Sequence, residues 1–331
     1  MESFKQMEKA NENMIILNKK KILDSIQNST IYEEDGIKIS HWDGEIKDLY
    51  VAEITKNDIN FIGILNDKLQ RDGYCVNNYI NNEKYFGFFK KDLRNKQGLY
   101  IWPPKIENEN RLSEFYWGLW RDNLKDDHGV YLWLSEPKDD LLFSNFDNCD
   151  LDAYIGQIEM DSYVKGVYLI KRKDNYYLYY GGFDSSGKKN GKDCFYYNST
   201  EDKVLYGTVV NDSFINGFIG QFSEEGEIKD ILEVEFDKNH KVVKYLERDE
   251  IEKNKREISE DRIFKFRNII MEKDYFGLIF EKFKKINEFL ENNMKDTNIY
   301  SDKDGYVNLM KMFGEYNEMS IYKDIQKKLD V

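Results

Sequence analysis

Tyr85-Phe86-Gly87-Phe88-Phe89, whose glycine is followed 11 residues later by Gly98, is one copy of a short sequence that recurs along this chain. Each copy has an aromatic or aliphatic residue, any residue, Gly, two mostly apolar residues, a polar stretch and a second Gly. The six glycine pairs are Gly63 and Gly73, Gly87 and Gly98, Gly118 and Gly129, Gly156 and Gly166, Gly181 and Gly191, and Gly207 and Gly217. The clearest copies open on Tyr85, Tyr116, Tyr154 and Tyr179. Self-similarity at a steady glycine spacing of 10 or 11 residues indicates a repeat architecture.

Each copy is predicted to form a β-hairpin. In the second copy we expect a strand over Lys84–Lys90, a polar turn over Lys91–Lys96 and a returning strand over Gln97–Trp102. Because side chains alternate along a strand, Gly87 shares a face with the ring of Tyr85. A glycine weakens a strand, so its regular recurrence among rings needs a packing reason. We expect a groove at the glycines into which an aromatic side chain lies.

The pattern changes along the chain and predicts four segments. Residues 1–30 are predicted to form a helix, and residues 31–60 strands that cap or start the repeats. The hairpin repeats occupy 61–236, and a helical region occupies 249–331. The fold class is therefore mainly β, with an N-terminal helix and a C-terminal α-helical region.

The C-terminal region shows two apolar groups at helical spacing. The first consists of Ile263, Phe264, Ile269 and Ile270, and the second of Ile279, Phe283, Ile286 and Leu290. A further helix is predicted over 308–329. Such stripes are usually packing faces, so we expect the helices to lie across the sheet and supply a core. A partner-binding helix is the alternative.

Two insertions interrupt the repeat. One contains Pro103-Pro104 and residues 107–110, and the other runs from Pro137 to Asp152. Both follow the second strand of a hairpin, where the link to the next hairpin would lie. Insertions at one point of a repeat are expected on one face of the array.

Charge restricts the range of partners. The chain carries 62 Asp and Glu against 49 Lys and Arg, a net charge of −13. Over 61–222 we count 20 basic and 24 acidic residues, a balance of −4, so most of the excess lies outside the repeats. Nucleic acid is therefore not an expected partner. The only basic cluster in the repeats is Lys171-Arg172-Lys173.

The residues that usually carry chemistry are scattered. Cys75, Cys149 and Cys194 form no CxxC pair, and the three histidines, His41, His128 and His240, are far apart. His128 is expected in a turn beside Asp126-Asp127, and Asp139-Asp140 in a loop. No nucleotide-binding or hydrolase motif occurs, and Gly181-Gly182 lies in a hairpin. We expect no catalytic residue, no metal and no cofactor.

One loop weakly resembles a calcium-binding loop. Asp302-Lys303-Asp304-Gly305 is similar to the middle of an EF-hand, but this alignment puts Tyr300 first and Lys311 twelfth. Both positions need oxygen ligands, and the twelfth is normally a bidentate Glu. The loop is therefore interpreted as a decayed EF-hand or an ordinary turn between helices.

The phrase Tyr-x-Gly-x-(Phe or Trp), a polar turn and a second Gly resembles the MORN repeat, over about half of the chain. The copies Tyr85–Tyr100, Tyr116–Tyr131, Tyr154–Tyr168 and Tyr179–Gly191 carry the resemblance best. The departures are that the family unit is shorter, usually has a glycine in the turn and opens its second strand Gly-x-Gly. Only Gly187 offers a turn glycine here.

The resemblance implies an elongated, single-layer antiparallel sheet of stacked hairpins. It also implies roles in scaffolding, dimerisation, cytoskeletal or ciliary assembly and attachment near membranes, with phosphoinositide binding in some members. We expect a non-enzymatic scaffold or adaptor that binds other proteins through the repeat sheet and the C-terminal helices. Homo-oligomerisation stays open.

Two alternative functions are peripheral membrane attachment and a bacterial antitoxin or immunity protein with an acidic repeat surface. Met1-Glu2-Ser3-Phe4-Lys5 does not resemble a signal peptide, and the sequence has no 18-residue apolar stretch. An intracellular, cytoplasmic location is therefore expected.

Overall fold

A computed structural model describes residues 19–28, 31–41, 49–56, 59–239, 241–272, 274–293 and 327. Within them the chain is mainly β. The helices are α1 (Lys19–Asn28), α2 (Lys253–Glu272) and α3 (Tyr275–Asn293). The first strands are β1 (Ile31–Glu34), β2 (Ile37–His41), β3 (Tyr50–Lys56), β4 (Ile59–Leu65), β5 (Arg71–Asn78), β6 (Lys84–Lys90), β7 (Leu93–Glu107) and β8 (Asn110–Arg121). The others are β9 (Leu124–Pro137), β10 (Asp150–Glu159), β11 (Ser162–Arg172), β12 (Asn175–Gly182), β13 (Gly191–Asn198), β14 (Lys203–Val210), β15 (Ser213–Phe222), β16 (Ile228–Phe236) and β17 (Val242–Leu246).

The described chain divides into two compact units. The first contains residues up to Pro104, Glu114–Lys125 and the end of α3 from Asn287, and the second contains Lys105–Ser113 and Asp126–Ile286. Strands β1 to β7 pair in sequence order in antiparallel ladders, as do strands β9 to β17. The predicted antiparallel sheet of stacked hairpins is confirmed.

The N-terminal helix α1 is short and packs against β1 and β2 of the first unit. Its apolar residues Ile22 and Ile26 are buried. The predicted helix spanned 1–30, of which residues 1–18 lie outside the described part of the chain, as do Trp42-Asp43-Gly44 of the next segment. The hairpin of β1 and β2 turns at Asp35 and Gly36, both with positive φ, as a type I′ turn requires.

The second repeat forms a hairpin, but its predicted turn is wrong. The first strand ends at Lys90 as expected, and the chain then turns over two residues, Lys91 and Asp92, with φ of 52° and 71°. The returning strand begins at Leu93 instead of Gln97. Asp tolerates the left-handed conformation, so this type I′ turn needs neither a glycine nor a six-residue loop.

The two insertions differ in structure. The first forms no loop: β7 continues through Pro103 and Pro104 to Glu107, and the chain turns at Asn108 and Glu109, both with positive φ. The second is the connection between β9 and β10, as predicted. Both insertions therefore lie where one hairpin links to the next, as expected, but the first lengthens the strands around a two-residue turn and the second forms a loop.

In the second unit, helices α2 and α3 cover one face of the sheet, which we call the covered face. Phe266 of α2 stacks on Phe195 of β13, with ring centroids 4.6 Å apart. Arg267 pairs with Asp202 through Nη2 and Oδ2 at 2.6 Å. The expectation that C-terminal helices supply a core to the sheet is confirmed in this unit.

The predicted apolar groups of these helices are mostly buried. Ile263, Ile269, Ile279, Phe283 and Ile286 are buried, whereas Phe264 is 42% exposed. Assigning Phe264 to the packing face was therefore wrong: Ile263 and Phe266 turn inwards on this helix and leave Phe264 facing solvent. The side chain of Leu290, the predicted helix over 308–329 and the loop around Asp302 and Asp304 lie outside the description, apart from Lys327.

The loop between β9 and β10 is held against α3. Its Phe143 lies 5.4 Å from the ring of Phe280, centroid to centroid, and donates its backbone N–H to Glu136 Oε1 at 2.9 Å. Arg111 donates from Nη2 to the other oxygen of Glu136 at 3.1 Å. Burial raises the pKa of the Glu136 carboxyl despite this arginine. The second insertion is thus part of the packed core of its unit.

Candidate binding face

The recurring glycines form a row that crosses neighbouring strands. Gly156 is paired with Gly129 on one side and with Gly166 on the other, and Gly166 with Gly181. In the first unit Gly87 pairs with Gly98, and at the end of the second unit Gly207 pairs with Gly217. We call this line of residues the glycine row.

A tyrosine covers the glycine row in each regular repeat. A Cβ at Gly98 would lie 2.3 Å from the hydroxyl oxygen of Tyr85, so only glycine fits beneath this ring. The hydroxyl then donates to the carbonyl of Phe88, three residues along the same strand, at 3.1 Å. The predicted aromatic groove at the glycines is therefore present, filled by the repeat's own first aromatic residue.

The same hydroxyl contact recurs in both units. Tyr116 donates to Leu119 at 3.0 Å, Tyr154 to Gln157 at 2.6 Å and Tyr179 to Gly182 at 2.7 Å. Beside Tyr85 and Tyr154 the strand pairing shifts register near the accepting residue. The tyrosine hydroxyl thus satisfies a carbonyl next to a bulge, where ladder pairing is interrupted.

Two of the predicted glycine pairs do not face each other. The strand partner of Gly63 is Cys75 and not Gly73. A Cβ at Gly181 would lie 2.6 Å from Cys194 Sγ, whereas Gly191 pairs with Val209. Register shifts displace Gly73 and Gly191 from the glycine row, and a small cysteine takes each place. Burial raises the pKa of the Cys75 thiol to about 12 and also raises that of Cys194.

The face opposite the helices carries aromatic side chains, and we call it the open face of the second unit. Strand partners place five tyrosines and a leucine in one line across β9 to β14: Tyr131, Tyr154, Tyr168, Tyr179, Tyr196 and Leu205. A second line lies beside the first, two residues away on each strand, and includes Trp133, Ile170 and Tyr177. The rings of Tyr131 and Trp133 stack at 4.3 Å.

A groove of about 360 Å³ lies on this open face. Its lining comes from β11 to β15 and the turns between them, and includes Tyr168, Tyr177, Tyr179, Lys189, Tyr196 and Asp212. Tyr179 is buried at 1% exposure, Tyr168 and Tyr196 are partly exposed, and Tyr177 is 39% exposed. Burial raises the pKa of Tyr168 to about 12 and also raises that of Tyr196.

The ammonium of Lys189 lies among the rings of this groove. Its Nζ is 5.2 Å, 5.4 Å and 5.6 Å from the ring centroids of Tyr168, Tyr179 and Tyr196. Such distances allow cation–π attraction. Burial lowers the pKa of this ammonium, while the carboxylates of Asp212 and Asp152 oppose the shift.

Lys189 belongs to a recurring contact between consecutive hairpins that sequence reasoning missed. The backbone N–H of Lys189 donates to Asp212 Oδ1 at 2.9 Å, and that of Arg94 donates to Asn123 Oδ1 at 2.7 Å. Arg71 and Asp92 make the same contact at 2.9 Å. The signal was visible: each acceptor is an Asp or Asn that ends a two-residue turn, and each donor is a basic residue shortly before the second glycine or cysteine of its repeat.

The basic cluster does not form a cationic patch. Lys171 is buried, and its Nζ donates to the carbonyl of Cys149 at 2.7 Å. Arg172 pairs with Asp152, which leaves Lys173 exposed at the turn. Lys171 is therefore not a solvated strand-end residue, because the loop before β10 folds over it.

The residues considered for chemistry are dispersed. His128, Asp126 and Asp127 lie in strand β9 and not in a turn, because the chain already turns at Asp122 and Asn123. His128 Nδ1 contacts Asp127 Oδ1. His41 ends β2, and His240 lies outside the description. Across the described ranges, no three His, Cys, Asp or Glu side chains are grouped so that they could hold a metal ion.

Comparison with protein-family models gives no match, and no curated protein matches the chain. Among the residues that the structure describes, no helix has the length and apolar character needed to cross a membrane.

Proposed function

We propose that this chain is a divergent MORN-type repeat protein that acts as a non-enzymatic scaffold and binds another protein through the open face of its second unit. One observation carries the proposal: helices cover one face of this sheet, while the opposite face presents aromatic side chains that are partly exposed or exposed, among them Tyr168, Tyr177 and Tyr196. Tyrosine provides a large contact area at little cost in conformational entropy, and it is enriched at protein interfaces.

The proposal is tested with the full chain used as bait in its native cells. A Tyr168→Ser/Tyr177→Ser variant removes two rings from the open face, and Leu278→Ser on α3 is the matched control because Leu278 is 53% exposed on another part of the same unit. We expect one defined set of proteins, identified by mass spectrometry, with the unaltered chain and the control but not with the double variant. Recovery of the same proteins by the double variant, folded by circular dichroism, would contradict the proposal.

Attachment to phosphoinositides has less support. Of the three basic residues that suggested it, Lys171 is buried against a backbone carbonyl and Arg172 is paired with Asp152. An anionic membrane attracts clusters of exposed basic side chains, and these residues do not provide one. Flotation with phosphoinositide vesicles distinguishes this function from protein binding. The antitoxin alternative still depends on the acidity of the chain alone.

A further inference from the structure

The groove on the open face has a polar lining that restricts what it can hold. We infer that it binds a neutral, proline-rich segment in the polyproline II conformation, running across strands β11 to β13. This inference rests on the proposed function, because the groove lies on the face proposed to bind proteins. It adds the chemical class of the segment that is bound.

Charge argues against ionic occupants. Lys189 already occupies the space among the three tyrosine rings, so a lysine or arginine of a partner would meet a cation there. Asp212 lines the same groove, Asp152 lies close enough to affect Lys189, and the whole chain has a net charge of −13. An acidic segment would meet the carboxylates of Asp212 and Asp152 beside the single ammonium of Lys189. A neutral occupant meets neither penalty.

Lys189 supplies a hydrogen-bond donor that remains available in the groove. In the described chain the ammonium of Lys189 forms no ion pair, whereas the hydroxyl of Tyr196 has no hydrogen-bond partner but is enclosed and does not face an occupant. Tyr179 already donates to Gly182, and Asp212 already accepts from the backbone of Lys189. A proline-rich chain complements such a lining because it is apolar, lacks backbone N–H donors and presents free carbonyl acceptors.

The spacing of the rings also suits this conformation. Tyr168, Tyr179 and Tyr196 are strand partners on β11, β12 and β13, so Tyr168 and Tyr196 are two strands apart. Neighbouring strands are about 4.8 Å apart, which puts these two side chains roughly 9.6 Å from each other. Polyproline II rises about 9.3 Å per turn of three residues. Successive turns of a segment crossing the strands would thus meet successive exposed tyrosines, with buried Tyr179 between them.

The test is isothermal titration calorimetry of the full chain with an end-capped decaproline peptide. A capped ten-residue Gly-Ser peptide is the flexible neutral control, and capped Glu-rich and Lys-rich peptides of the same length represent the ionic occupants. We expect saturable binding of decaproline alone, weakened at least about fivefold by Tyr177→Ala and by Tyr168→Ala. Tyr245→Ala, on the open face but outside the groove, should leave it unchanged, since Tyr245 is 51% exposed.

The absence of decaproline binding up to about 1 mM, which corresponds to about −4.1 kcal/mol, would overturn the inference. Equal binding of the Gly-Ser peptide or a preference for an ionic peptide would overturn it as well. Binding that survives both groove variants would also overturn it. If Tyr168→Ala does not fold, Tyr177→Ala decides, because its ring is the more exposed. Native partners lost from the Tyr168→Ser/Tyr177→Ser variant without any decaproline binding would end this inference and leave the proposed function standing. Retained partners would end both.

Discussion

Arg94 in the first unit and Lys189 in the second occupy the same position in the repeat. Arg94 is covered by other side chains, whereas Lys189 borders a groove. Each is a cation over the tyrosine rings of its hairpin, and each donates its backbone N–H to the residue that ends the next turn. Arg94 is only 2% exposed, whereas Lys189 is partly exposed.

A single side chain of the next repeat accounts for much of this difference. Four residues after Tyr116 stands Trp120, whose ring centroid is 4.6 Å from Arg94 Cζ and whose Nε1 donates to the Gly98 carbonyl at 3.2 Å. Four residues after Leu205, at the corresponding position, stands Val209. Val209 is buried beside Tyr179, but a valine is too small to cover the rings. The repeat thus forms the same arrangement of a cation over tyrosine rings in both units, and this residue determines whether the arrangement is covered or faces a groove.

The largest effect is expected when Trp120, which covers Arg94, is replaced by valine, the residue at the corresponding position beside Lys189. Trp120→Val should lower the free energy of unfolding by about 3 kcal/mol, because it leaves a cavity over Arg94, Tyr85 and Tyr100. Urea denaturation measures the change. Leu141→Ala, at an 81% exposed position, is the control and should change it by less than about 0.5 kcal/mol. A cost for Trp120→Val no larger than that of the control would show that the indole does not seal the site.

The next test compares the room under the two tyrosines. Gly98→Ala should cost about 1 to 3 kcal/mol, because its Cβ would overlap the sealed ring of Tyr85. At Gly181 a Cβ would lie 2.4 Å from the Tyr179 hydroxyl oxygen and 2.6 Å from Cys194 Sγ, but the ring of Tyr179 borders the groove and has room to shift there. We expect the smaller loss for Gly181→Ala in the same denaturation assay. Equal losses would mean that the groove does not relieve the overlap.

A smaller effect is expected at the turns that join consecutive hairpins. Asn123→Gly and Asp212→Gly both keep a backbone that accepts positive φ and remove the side-chain acceptor, so they isolate one hydrogen bond. Asn123→Gly should cost about 1 kcal/mol, because the N–H of buried Arg94 loses its partner. Asp212→Gly should cost less, because water can reach the exposed turn beside Lys189. A larger loss of stability for Asp212→Gly than for Asn123→Gly would contradict the conclusion that Arg94 is covered and that Lys189 is accessible to water.

The smallest effect concerns pH at the open site. The pKa of Lys189 is lowered in the folded protein, so folding disfavours the charged form and the penalty is full at pH values below the folded pKa. As the pH rises through that value towards the ordinary 10.5, the penalty disappears. Denaturation between pH 7 and 10 should therefore show the unaltered chain gaining stability relative to Lys189→Met. A constant difference would contradict a partly buried, cationic Lys189.

The hairpins and the aromatic groove at the glycines could be predicted because they depend on alternation and on a recurring residue type. The turn at Lys91 and Asp92 could not, because neither residue is the glycine that usually marks a left-handed turn position, and the whole polar stretch up to Lys96 fits a turn equally well. The bulges escaped prediction as well, because nothing in the residue pattern distinguishes Gly73, which leaves the glycine row, from Gly98, which stays in it.

The candidate site was predicted less well than the fold. Tyr168 and Tyr179 were named through the repeat, but Tyr177, Tyr196 and Lys189 were not, and a basic residue near a turn is usually solvated. The covering helices were expected from their apolar stripes, which left the opposite face as the candidate surface. Deleting 249–331 would remove α2 and α3 from the core of the second unit, so such a deletion cannot serve as a clean test of partner binding.

The cysteines in the glycine row have a consequence for tracing the ancestry of such chains. Cys75 and Cys194 occupy the positions in the glycine row where a second glycine would be expected. They follow Gly63 and Gly181 by 12 and 13 residues. The strand partners therefore stay aligned across the sheet, although the number of residues between them changes from repeat to repeat. Relatives of this protein are better sought by aligning strand partners than by counting residues between glycines.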